Sequence, residues 1–105
     1  MTQPSDCTDM TQLRALIDRI DARLVALLAE RTACIDRAAQ IKSDVGLPAR
    51  IEARIEEVVA KVRAEAAGRD LDPDLVEGIW RPLMEWSIAR EERVLGRDHG
   101  MDEQR

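Results

Sequence analysis

The sequence predicts an all-α protein of three helices, the first of them very long. Hydrophobic residues make up 45% and charged residues 35% of the 105, with no Phe or Tyr and two Trp. That aliphatic and charged mixture suits helices and offers little to a β-sheet. From Met10 onward, apolar positions recur along one face at intervals of three and four. Helix-breaking residues cluster at only two places inside the chain, 44–48 and 68–73.

Asp9 is a good N-cap for the first helix, with Gln12 at the spacing of a capping box. The stripe runs Met10, Leu13, Ile17, Ile20, Leu24, Leu27, Arg31, Cys34, Ala38 and Ile41, and only position 31 is charged. Gly46 and Pro48 stop the helix after Asp44. A second helix over about 49–67 presents Ile51, Ile55, Val58, Val62 and Ala66, and Gly68 closes it. Asp72 caps a third helix with Pro73 at its first position, and Leu71 is placed to staple onto Val76. That helix is expected to end near Leu95 before Gly96, with a kink at Pro82 softened by Gly78 four residues back. Residues 1–8 and 96–105 read as flexible tails around one domain at 9–95.

A net charge of −5 argues against nucleic acid as a main partner, since phosphate contacts need a basic surface. The first ten residues lack a basic and apolar leader, and no apolar run approaches a membrane span, so a soluble cytoplasmic protein without membrane association is expected. Cys7 and Cys34 have no CxxC spacing and read as reduced thiols, Cys34 as a small core residue. The single His99 lies in the polar tail, so neither a metal centre nor histidine catalysis is expected.

A first helix of about 35 residues is roughly 50 Å long. A compact chain of this size has a radius of gyration near roughly 13 Å. Two shorter helices cannot wrap such a rod, so a homodimer packed along its long helices is the simplest arrangement. A lone three-helix hairpin with a projecting end is the alternative.

Arg31 and Lys42 are eleven residues apart. They therefore project on one face, about 20° apart and roughly 16 Å along the axis. A buried guanidinium without a partner is prohibitively costly, and no acid of the first helix shares this stripe. Either a carboxylate ligand sits between the two cations, or a glutamate from the third helix pairs with them. Arg14 lies roughly 25 Å from Arg31 on its own helix and could meet it only from a second, antiparallel chain; otherwise it is a solvated arginine beside Asp18. On the third helix Trp80, Met84, Ser87 and Glu91 follow at intervals of four, three and four, so a hydroxyl and a carboxyl interrupt an apolar face. They either line the pocket of Arg31 and Lys42, or serve as a packing residue and an ion-pair partner. Arg50 and Arg54, one turn apart on the second helix, have acids nearby and read as solvated unless a ligand engages them.

Together, Arg14, Arg31, Lys42, Arg54, Ser87 and Glu91 on three helices resemble the AroQ-type chorismate mutase family, over about residues 9–95. The head "DCTDMTQLRALIDRIDARLVALLAERT" is similar to the isochorismate pyruvate lyase branch of the same fold family. The resemblance implies an intertwined all-α homodimer with two equivalent sites, no cofactor or metal, and a dicarboxylate substrate. It implies that Arg14 of the partner chain, Arg31 and Arg54 hold the two carboxylates. It further implies that Lys42 and Glu91 reach the ether oxygen and that Ser87 lies beside the substrate. The expected reaction is the [3,3] rearrangement of chorismate to prephenate. Two features depart from the family pattern. Many mutases have Gln where this chain has Glu91, and a glutamate must be protonated to donate to the ether oxygen. Ile51 and Ile55 stand where bacterial mutases often place acids on the ring hydroxyl, which leaves room for isochorismate. A helical dimerisation module whose polar residues set register is the non-enzymatic reading.

Overall fold

The computed structural model of the chain describes residues 2–103, with side chains for 2–96. After a short 3₁₀ turn at Pro4–Asp6 come α1 (Met10–Val45), α2 (Glu52–Gly68) and α3 (Pro73–Glu103), and there is no strand among the described residues. No helix among them is long and apolar enough to cross a membrane. The chain divides into two units, Met1–Cys34 and Ile35–Arg105.

In the first unit, Asp9 caps α1 as its sequence position suggests: Oδ1 accepts the Gln12 N–H at 2.8 Å. The reciprocal arm of the capping box closes one residue upstream. Gln12 Oε1 accepts from the Thr8 backbone N–H at 2.8 Å and from the Thr8 hydroxyl at 3.1 Å, because Thr8 offers two donors where Asp9 offers one. Met10, Ile17, Ile20, Leu24 and Leu27 of the predicted stripe are all exposed, as are Val25 and Leu28. Cys34 is exposed too, against the expectation that it packs in a core. Leu16, outside that stripe, is buried.

The second unit holds the last turns of α1 and the α2–α3 hairpin. α1 ends in a Schellman cap: Gly46 takes φ +76°, and the Leu47 N–H donates to the Lys42 carbonyl at 2.9 Å. α2 closes the same way but not at Gly68, which stays helical. Asp70 occupies the left-handed position at φ +56°, the Leu71 N–H donates to the Ala66 carbonyl at 2.9 Å, and the Asp70 N–H to Ala67 at 3.2 Å. A β-carbon is disfavoured there, so Asp70→Gly should stabilise the fold by about 0.5–1 kcal/mol, read as a raised urea midpoint. Asp72 starts α3 as expected, with Oδ1 accepting from Asp74 N at 2.9 Å and Pro73 at the first position.

The core between α2 and α3 consists of Ala49, Ile55, Val59, Met84 and Ile88, flanked by Val58, Trp80 and Leu95. The buried face of α2 is therefore rotated from the predicted one: Val59 enters it, while Val58 and Val62 lie half-buried at its edge. Outside, Arg81 bridges Glu56 (3.0 Å) and Glu77 (2.6 Å), and Arg63 joins Asp74 (2.9 Å) and Glu77 (2.8 Å). α3 passes through Pro82 and continues beyond Gly96 to Glu103 rather than ending near Leu95. One helical glycine costs about 1 kcal/mol, a penalty that weakens a helix without ending it. His99 and the remaining side chains of the expected C-terminal tail lie outside the described residues.

Candidate active site

Lys42 sits in the last turn of α1, in the turn that the Gly46 cap closes. The reversal of the chain after Gly46 brings the buried Ala49 back over it, and the ammonium donates to the Ala49 carbonyl at 2.8 Å. Across from it, Glu91 Oε1 lies 2.7 Å from Nζ; side-chain exposures are 18% for the lysine and 6% for the glutamate. This Glu91 oxygen is fully shielded from water and has no well-angled hydrogen bond, so the ammonium charge is what compensates it. Ser87, one turn earlier on α3, is also buried, and its hydroxyl donates to the Leu83 carbonyl at 2.9 Å. Three elements thus converge in the second unit: the end of α1, the loop before α2, and the buried face of α3. Beside them opens a groove of about 690 Å³, with Lys42, Ser43, Arg50 and Glu92 on its polar side and Leu47, Pro48 and Leu95 on its apolar side.

A second link between α1 and α3 lies next to the first. Arg90 grips Asp36 with a fork, Nε to Oδ1 at 2.6 Å and NH2 to Oδ2 at 3.0 Å. The guanidinium also lies over the Trp86 ring, 5.6 Å from its centroid. Hydrogen bonding from Arg90 holds the Asp36 carboxyl below its ordinary range. The link is therefore intact at neutral pH and is lost only as pH falls through that lowered value. The sequence reading missed this pair. The signal was present in the adjacent opposite charges Arg90 and Glu91, matched by Asp36 and Lys42 on α1.

Of the residues singled out from sequence, Lys42, Ser87 and Glu91 come together. Arg54 is exposed and turned along its own helix, paired with Glu57. Arg50 reaches from the start of α2 to Glu85 of α3 and to Glu52 at 3.2 Å. In the first unit Arg14 is exposed, while Arg31 is half-buried and engaged by other groups. The alternative in which a glutamate of the third helix answers the cations of α1 is met for Lys42, by Glu91.

The fold and the site define a small all-α protein of three helices with a buried lysine–glutamate pair beside an open groove. Its sequence places it further: residues 13–92 match the chorismate mutase type II family, and the chain belongs to it. It is 35% identical over 83 residues to the T-protein of Enterobacter agglomerans, covering 79% of this chain and 22% of that one. It is 32% identical over 92 residues to the isochorismate pyruvate lyase of Pseudomonas aeruginosa, covering 87% and 89%. With the chorismate mutase of Methanocaldococcus jannaschii it shares 26% over 86 residues, 82% and 87% of the two chains. The chain spans about a fifth of the T-protein and most of the other two.

Proposed function

We propose that this chain is a chorismate mutase, rearranging chorismate to prephenate in aromatic amino-acid biosynthesis. The observation that carries the reading is the buried Lys42–Glu91 pair with Ser87 one turn away, inside a chain that belongs to the type II family. In the [3,3] shift the ether bond lengthens and negative charge grows on its oxygen. A fixed ammonium at that oxygen stabilises the transition state more than the ground state, which is the condition for raising kcat. Folding the enolpyruvyl arm over the ring into a compact chair supplies the rest by removing conformational freedom before reaction. Arg31 and Arg54 hold the two carboxylates. Arg54 exchanges Glu57 for the ligand, a cheap step because exposed ion pairs are worth about 0–1 kcal/mol.

Arg14 comes from a second copy of the chain. The exposed stripe of Met10, Ile17, Ile20, Leu24 and Leu27 supports that assembly, since a monomer rarely leaves so long an apolar row in water. The second copy lies along α1, in an intertwined homodimer that presents two sites.

Isochorismate is the second reading of the substrate. It is favoured by the Pseudomonas aeruginosa lyase, which this chain matches along 89% of that protein's length. Purified protein incubated separately with chorismate and isochorismate separates the two. Prephenate from the first supports the mutase, salicylate with pyruvate from the second supports the lyase, and neither product sinks both. Arg31→Ala should leave a dimer near twice 11.8 kDa by light scattering, with activity lowered by at least about 100-fold. Collapse of the dimer in that variant would point instead to a helical dimerisation module.

A further inference from the structure

Neighbouring residues of α3 carry opposite charges, and each reaches an opposite charge on α1: Arg90 to Asp36, Glu91 to Lys42. On α1 the two partners are six residues apart, hence about 120° apart in projection, and on α3 consecutive residues differ by about 100°. The two ion pairs therefore bracket the line along which the helices face each other. One is partly solvated, with side-chain exposures of 40% at Asp36 and 36% at Arg90; the other is buried. Turning α3 the wrong way about its axis would set Arg90 against Lys42 and Glu91 against Asp36, two like-charge encounters. The fork geometry of the outer pair and the Trp86 ring beneath the guanidinium hold Arg90 in place, whereas the inner pair is a point-charge contact with no such directionality.

We propose that Asp36 and Arg90 are positioning residues, which fix the rotation of α3 so that Glu91 presents its carboxyl to Lys42 and not to Arg90. The inference rests on the mutase reading. Without the Asp36 charge, Arg90 is a mobile cation one residue from Glu91 and competes with Lys42 for its carboxylate. The Lys42 ammonium then loses its fixed place, and misplacement on this scale lowers turnover without weakening the carboxylate grip on the ligand.

The test is steady-state kinetics on Asp36→Asn, Asp36→Glu, Glu91→Gln and the double variant Asp36→Asn with Glu91→Gln. Asp36→Asn should lower kcat about tenfold with KM changed by less than about twofold. Asp36→Glu, which keeps the charge, should recover most of that loss. In the Glu91→Gln background Asp36→Asn should have little further effect, since the charge it protects is already gone. Equal losses in both backgrounds, or a lower melting temperature with kcat unchanged, overturn the proposal. A wild type inactive on both substrates overturns the mutase reading instead. The positioning is then judged by the Lys42 Cε resonance in a ¹³C spectrum. It should move in Asp36→Asn and stay in place in a control, Arg69→Gln; a resonance unmoved in Asp36→Asn overturns the proposal.

Discussion

Lys42→Met is expected to lower kcat for the rearrangement by about 10²–10³, the usual cost of removing one fixed donor from a developing oxyanion. The same substitution should destabilise the protein, for a reason independent of catalysis. Glu91 Oε1 is shielded from water and faces the Lys42 ammonium at 2.7 Å. Removing one member of a buried ion pair strands the other, at a typical cost of about 3–5 kcal/mol. Replacing both members with apolar side chains removes that penalty. Lys42→Met combined with Glu91→Leu should therefore recover most of the lost stability in urea denaturation while remaining inactive. A double variant no more stable than Lys42→Met alone would show that the pair is not what the fold depends on here.

Glu91→Gln is expected to raise the rate of the rearrangement rather than abolish it. A carboxylate only accepts hydrogen bonds, while a carboxylic acid or an amide can donate one to the ether oxygen. Paired with the Lys42 ammonium, the Glu91 carboxylate leaves donation to the ether oxygen to the lysine alone. The amide can still accept from Lys42 and adds a donor of its own, so the variant should exceed the wild-type kcat by about tenfold. A steady-state kcat in the variant no higher than the wild type's would assign Glu91 to ion pairing alone.

Much of this was legible before any coordinates. A three-and-four repeat from Met10 to Ile41 gives a helix whatever surrounds it, because the repeat is the geometry of one helical face. Asp9, Gly46, Asp72 and Pro73 mark their boundaries through local hydrogen bonding and backbone preference, and all four act where their chemistry places them. Where local rules offered two near-equal solutions, the reading slipped. Gly68 was the obvious stop for α2, yet Asp70 takes the left-handed position, since the chain turns where Leu71 can satisfy the Ala66 carbonyl. Val59 entered the core in place of Val58 because the crossing of α2 with α3, and not the helix alone, selects the buried face.

By itself the sequence determined three helices, their caps, and a charged residue out of place on each of two apolar faces, because these follow from periodicity and short-range chemistry. It also carried the family membership. Only the tertiary structure decided which charges meet. Lys42 is 49 residues from Glu91, and Asp36 is 54 from Arg90. No spacing rule reaches that far: the pairing depends on how α3 is turned against the end of α1, a rotation set by packing in the α2–α3 core and by the return of the chain at Gly46.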